Sequence, residues 1–139
     1  MEPVETQPKR AARRRIYARL MAGYAAQPRD EDTEQRWTWL MAAHVVGQAD
    51  LGLHLHSHWR MLGLALAQRD AAEAAGQLLR LALVPLGHVL GRLPAGNVGR
   101  ATVSALRPMR PGIAVRRLIV QAARPRGGHA GLQAGCGPS

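Results

Sequence analysis

WTWLMAAHVVGQADLGLHLHSHWRML, residues 37–62, reads as two helices joined by a tight turn. Trp37, Leu40, Met41, His44 and Val45 recur at three- and four-residue spacing, so they share one face of a helix. Gly47-Gln48-Ala49-Asp50 interrupts that rhythm, and Asp50 is the natural N-cap of the next helix. That helix is expected to run from Leu51 to Gln68, with Leu51, Leu55, Leu62 and Ala65 as its buried stripe. A connection this short forces the two helices antiparallel, with the turn centred near Ala49.

Upstream, Ile16, Leu20, Met21 and Tyr24 make an apolar stripe on a helix expected from Lys9, and Gln27-Pro28-Arg29-Asp30 ends it. The second helix then starts near Thr33, capped by Asp32 or Thr33, with Glu31 and Glu34 suiting its positive end. Downstream, Asp70 caps a fourth helix that carries Leu78, Leu79, Leu81 and Ala82 and meets Pro85. Gln27-Pro28-Arg29-Asp30 and Ala67-Gln68-Arg69-Asp70 punctuate the chain alike, at an offset of 40 residues. Two helix–turn–helix units of this size are tetratricopeptide-like, although such arrays usually need ~3 repeats to stand alone. The segment from Gly91 to Arg100 is therefore expected to cover the open face as a Gly- and Arg-rich loop. Ala101 to Leu106 alternates in the manner of extended chain. Arg107-Pro108-Met109-Arg110-Pro111 reads as a strap over the surface. Pro111 then starts a short final helix through Ile113, Val115, Leu118 and Ile119. The fold class is all-α: two antiparallel hairpins closed by a loop and a short C-terminal helix. The domain is expected over 9–121, between a disordered lead-in at 1–8 and a disordered Gly/Pro-rich tail at 122–139.

The 139 residues suit one domain, and 47% hydrophobic residues suffice for a core built of Leu, Ala, Val and Met, since Phe is absent. Nineteen basic residues against nine acidic ones give a net charge of +10. All of the basic residues except Lys9 are Arg, which GC-rich coding also favours, so charge alone does not select an anionic partner. The single cysteine, Cys136, cannot form an internal disulfide. No secretion signal opens the chain and no apolar run approaches the ~20 residues of a membrane span, so a cytoplasmic protein is expected.

Four of the six histidines fall within fifteen residues: His44, His54, His56 and His58. His54 and His58 are four apart and point the same way, whereas His56 is turned about 200° from His54. His44 lies one helical turn before Ala49 and His54 one turn after it, so in an antiparallel hairpin they meet at similar height. Two histidines at i and i+4 with a third from the facing helix form a three-nitrogen set of the kind that holds Zn. A sulfur ligand from Met61 would favour Cu. The competing expectation is a set of neutral core histidines donating to carbonyls or packed on Trp. His88 stands alone on an apolar stretch and reads as core or boundary.

In the loop, Arg92, Gly96, Asn97 and Arg100 offer guanidinium groups and approachable backbone amides, a set that can hold an anion. The spacing matches neither a P-loop nor a dinucleotide fingerprint. The alternative is that the loop caps the bundle, its arginines bonding carbonyls or acids such as Glu34 and Glu73. The basic stretch Lys9 to Arg19 reads as a solvated helix face, with nucleic acid as its alternative partner.

Ala43-His44-Val45-Val46-Gly47-Gln48, His54, His58-Trp59-Arg60-Met61, Gly76-Gln77-Leu78-Leu79-Arg80-Leu81, the Gly91–Arg100 loop and Arg107-Pro108-Met109 together resemble a small bacterial family of unknown function. The resemblance spans roughly Arg13 to Val120. It implies a helical domain of this size that includes the loop, and places His44, His54 and His58 in motif positions. Val98 stands where the resemblance implies a polar residue. No nucleophile–base pair and no workable carboxylate pair is visible, so a non-enzymatic binding or adaptor module for a protein or peptide is expected. The alternatives are a metal-binding accessory protein using the histidines and a nucleic-acid-associated basic protein.

Overall fold

Two capping aspartates set the phase of the central helices. Asp50 Oδ1 accepts from the Leu53 amide at 3.2 Å, and Asp70 Oδ1 accepts from the Glu73 amide at 2.9 Å, each satisfying an amide that the first helical turn leaves open. The computed structural model describes residues 6–30, 33–92, 97–102 and 109–126, with side chains from Lys9 onward. Among the described residues there are five helices and no strand: α1 (Thr6–Ala26), α2 (Thr33–Gly47), α3 (Leu51–Ala67), α4 (Ala71–Leu90) and α5 (Ile113–Ala123). No helix is long and apolar enough to cross a membrane.

Helix α1 starts at Thr6, three residues before the expected Lys9, and α5 runs to Ala123. Helix α4 continues through Pro85 to Leu90, where Gly91 takes the left-handed conformation (φ 64°) and Arg92 N–H donates to the Gly87 carbonyl. Of the expected extended stretch at 101–106 only Ala101 and Thr102 are described, in a turn, and of the strap at 107–111 Met109, Arg110 and Pro111 are described, without regular secondary structure; the rest lies outside the described residues.

From α1 to α4 each helix packs on the next, and α5 lies against α1 and α2. One apolar cluster gathers Tyr24, Trp37, Leu40, Met61, Leu62, Leu64, Ala65 and Ala74 from α1 to α4. A second joins Tyr17, Leu20, Ala42 and Ala43 to Val115 of α5, flanked by Leu118 and Ile119 as their spacing predicts. Polar clamps fix the seams. Arg19 donates to the carbonyls of Ala122 and Arg124, satisfying acceptors left open at the end of α5. Trp37 Nε1 donates to Gln68 Oε1 just past α3.

The buried faces of α3 and α4 differ from the leucine-based expectation. Leu51 is exposed and Leu55 half-buried, while His54, Ser57 and His58 are buried together with Met61, Leu62, Leu64 and Ala65. Helix α4 buries Glu73, Ala74, Gln77, Arg80 and Val84 and turns Leu78, Leu79, Leu86 and Val89 outward. Leu81 is half-buried and Ala82 exposed. The physical reason is that α3 and α4 enclose hydrogen-bonding side chains at this level of the bundle. Buried polar groups that find partners displace the leucines to the outer face.

Candidate metal centre

His44 enters from the last turn of α2, and His54 and His58 from the first half of α3. The hairpin brings the three rings together, with centroids 4.7 to 5.0 Å apart and each residue 4% exposed or less. The Nε2 atoms of His44 and His58 are 3.2 Å apart, and those of His58 and His54 are also 3.2 Å apart. One ligand atom from each of the three lies within 4.8 Å of the others, so the group has the dimensions to hold one metal ion. In a tetrahedral site with metal–nitrogen bonds of ~2.0–2.1 Å, ligand nitrogens are separated by roughly 3.3 Å.

The outer hydrogen bonds fix where the protons are. His44 Nδ1 is 2.8 Å from the Asn97 carbonyl, which can only accept, so Nδ1 carries the hydrogen and the neutral ring leaves Nε2 bare. His58 Nδ1 is 2.7 Å from Gln77 Oε1. The Gln77 amide cannot be flipped, because its Nε2 donates to the Gly99 carbonyl at 2.9 Å and to Glu73 Oε1 at 2.8 Å. Gln77 Oε1 must therefore accept, and His58 also turns a bare Nε2 inward. His54 Nδ1 meets His88 Nε2 at 3.1 Å, so a hydrogen on His54 Nδ1 bares the third Nε2. A backbone carbonyl on the far nitrogen, as Asn97 gives His44, is the kind of support that orients metal-binding histidines, and the Gln77 oxygen acts likewise on His58.

The electrostatics hold these rings neutral. Burial drives His44 well below the usual imidazole range, and His58 and His54 beside it push the same way. His54 is lowered to about 3, chiefly by burial and then by His58 and His88. His58 is lowered to about 4 by burial, against which its hydrogen bond to Gln77 acts. Across the 3.2 Å between His44 and His58, two lone pairs face each other with no proton between them. That contact becomes favourable once a cation stands among the three nitrogens.

The 97–101 segment closes the site. Asn97, Val98 and Gly99 are buried, and Asn97 Oδ1 accepts from the Gly99 amide at 2.9 Å. Glu73 Oε1 accepts from the Ala101 amide at 2.8 Å, and Arg80 donates to the Arg100 carbonyl at 2.8 Å. Glu73, Gln77 and Arg80, spaced at i, i+4 and i+7 on α4, thus grip successive points of the loop. Gly99 has φ 84°, and a Cβ there would lie 2.8–2.9 Å from the His44 ring. Gly99→Ala is expected to cost about 2–4 kcal/mol through backbone strain and displacement of that ring. Urea denaturation checks this, and an unchanged midpoint means that the loop is not seated on His44.

Of the residues singled out in the sequence, His44, His54 and His58 converge. Met61 is fully buried in the apolar cluster with Trp37 and Leu40. Arg100 stacks over Trp37 at 4.2 Å and faces Glu34 at 3.6 Å and Glu73 at 3.8 Å, the arrangement expected if the loop caps the bundle. Arg92 is exposed, and Gly96 lies outside the described residues. Asn97 contributes its carbonyl to His44 rather than an amide to an anion. Val98, placed where a polar residue was implied, is buried. His56 points away, its Nδ1 2.7 Å from the Tyr17 hydroxyl. Sequence reasoning named Glu73 as a partner of the loop arginines but not its bonds to Gln77 and Ala101, and it missed Gln77, Gly99 and the part His88 plays. The polar stripe Glu73, Gln77, Arg80 was the available signal for Gln77.

The family model of a protein of unknown function, DUF3703, matches residues 11–119. No curated protein and no solved structure matches the chain.

Proposed function

The chain belongs to the DUF3703 family, a family of unknown function, and we propose that it is a metal-binding protein in which His44, His54 and His58 hold one transition-metal ion through their Nε2 atoms. The observation that carries this reading is the pair of bare Nε2 atoms of His44 and His58, held 3.2 Å apart in a buried, neutral setting. Core histidines that serve only packing place a proton between close nitrogens or turn one nitrogen to a donor. Here the proton positions demanded by Asn97 and Gln77 exclude the first between His44 and His58. Three imidazoles suit Zn2+ and copper among the available ions. With Met61 committed to the apolar cluster, the ligand set is nitrogen alone, and a fourth position remains for water or a partner's ligand. The role is that of an accessory or carrier protein, with a cytoplasmic location as part of the same proposal.

The test is elemental analysis of untagged protein, as purified and after incubation with metal followed by desalting. About one equivalent of Zn or Cu per chain is expected, falling below a tenth in His54→Gln/His58→Gln protein that keeps its helical circular dichroism. Zn, Cu, Ni and Co all far below stoichiometry after loading overturn the reading.

A second reading, a tetratricopeptide-like adaptor for a protein or peptide, is favoured by the outer face of α4. Leu78, Leu79, Leu86 and Leu90 are each more than half exposed there. Apolar surface in such a row commonly marks a docking site.

A further inference from the structure

On the far side of α3 from the histidines lies a cavity of about 310 Å3, independent of the metal reading. Tyr24 of α1, Arg29 beyond it, Arg36 of α2, and Trp59, Arg60 and Gly63 of α3 line it. Three guanidinium groups therefore share one small space. Arg36 and Arg60 lie over the Tyr24 ring, at 5.1 and 5.4 Å from its centroid, and Arg36 also donates to the Tyr24 hydroxyl at 3.2 Å. Among the described residues no carboxylate pairs with Arg29, Arg36 or Arg60, whereas Arg14 faces one and Arg100 two. The Arg36 Nε is buried without a hydrogen-bond partner. The Tyr24 ring offsets part of the repulsion among these cations, and an anion bound there would offset the rest.

Two further features fit a ligand and nothing in the packing. Trp59 is 63% exposed, an unusual position for an indole in a chain with so few aromatic residues. Gly63 sits in the interior of α3, where glycine costs about 1 kcal/mol relative to alanine. Its φ is not positive, and a Cβ added there would meet nothing within 4 Å. No conformational or packing demand explains this glycine. It does leave open one wall of the cavity, between Arg60 and the helix end.

We propose that this cavity binds a nucleotide unit, its phosphate held by Arg29, Arg36 and Arg60 and its base stacked on Trp59. Guanidinium forks match phosphate oxygens in pairs, and an exposed indole is a sequence-tolerant platform for a base. The volume stands at the small end of ligand pockets, roughly 300–1,000 Å3, which suits one nucleotide and not a larger cofactor. The nucleotide is either free or one residue of a single strand.

The experiment is titration of chelator-stripped, dialysed protein at low salt with AMP, adenosine, ribose 5-phosphate, inorganic phosphate and a short single-stranded oligonucleotide. Calorimetry and tryptophan fluorescence are followed together. Removing metal keeps phosphate ligation at the histidines out of the signal. AMP is expected to bind saturably, to quench the Trp59 contribution, and to weaken steeply with added salt. Arg36→Gln and Arg60→Gln are each expected to weaken AMP about tenfold or more, and Trp59→Ala to reduce AMP to the level of ribose 5-phosphate. Gly63→Leu, which fills the open wall on an exposed helix face, is expected to keep the fold and abolish binding. Affinity for the oligonucleotide well above that for AMP assigns the site to a strand, and parity assigns it to the free nucleotide; both support the proposal. No saturable AMP binding up to millimolar concentration, affinity for inorganic phosphate equal to that for AMP, or full binding by the Arg36→Gln/Arg60→Gln protein overturns it.

Discussion

Lowering the pH of the metal-free protein from 7 to 5 is expected to remove about 6 kcal/mol of folding stability. The sign follows from where protons bind. In the unfolded chain His44, His54 and His58 titrate near 6.5. In the folded protein burial and mutual proximity hold all three lower, His54 at about 3 and His58 at about 4. Between those limits the unfolded state binds more protons, so stability is complete above pH 6.5 and falls as pH drops through the window. Each group contributes ~1.4 kcal/mol per pH unit once well below 6.5, which gives about 2 kcal/mol apiece at pH 5. Against a typical total of ~5–15 kcal/mol, three such groups bring the protein to the edge of unfolding between about pH 5 and 4. Urea titrations at fixed pH, read by helical circular dichroism, measure the slope. Stability that is flat from pH 7 to 4 would show that the imidazoles are not held neutral together.

Metal and protons compete for the same nitrogens, so the two measurements interlock. Saturating Zn2+ adds stability as RT ln(1 + [L]/Kd) at pH 7 and moves the acid transition to lower pH, because bare Nε2 atoms are then occupied. A protein whose histidines serve packing alone has the acid transition without the metal shift. The pair of curves thus separates buried imidazoles as such from buried imidazoles arranged as ligands.

The hairpin and its histidines were legible because both rest on local chemistry. Asp50 and Asp70 cap where a short polar side chain precedes an apolar rhythm, and the i, i+4 spacing of His54 and His58 fixes their direction whatever lies around them. The opposite ring, His44, followed from the shortness of the turn at Ala49. What failed was the assumption that leucines mark the inside. It placed Leu51 in the core and read α4 by its leucines, whereas α4 buries Glu73, Gln77 and Arg80 and exposes Leu78 and Leu79. Periodicity reports that a helix has two faces. It does not say which is buried when the polar face has partners across the interface. The remaining supports were illegible for a different reason. The Asn97 and Gly99 carbonyls act through the backbone, which carries no residue identity, and His88 reaches His54 across 34 positions of sequence.

Glu73→Ala is expected to be the most damaging single substitution outside the histidines, at about 3–5 kcal/mol. The Glu73 side chain is 2% exposed, accepts from Gln77 Nε2 and the Ala101 amide, and lies 3.8 Å from the Arg100 guanidinium. Its charge also offsets the cost of burying Arg80. Removing the carboxylate leaves an amide hydrogen and a backbone N–H short of an acceptor, takes away the charge that offsets the burial of Arg80, and leaves Arg100 with the more exposed Glu34 as its counter-charge. The damage then propagates. Glu73 shares with the Gly99 carbonyl the task of holding the Gln77 amide, and that amide obliges His58 to present a bare Nε2. Loss of such outer support typically lowers metal affinity ~10–100-fold even with all ligands present. Glu73→Gln separates the two effects. A neutral amide of the same shape can still accept from Gln77 or Ala101 but supplies no charge, so it retains more of the metal affinity than of the stability. Denaturation midpoints and competition with a chelator of known affinity read both quantities on the same samples. Glu73→Ala protein with unchanged midpoint and unchanged affinity would mean that the α4 carboxylate supports neither the loop nor the His58 proton position.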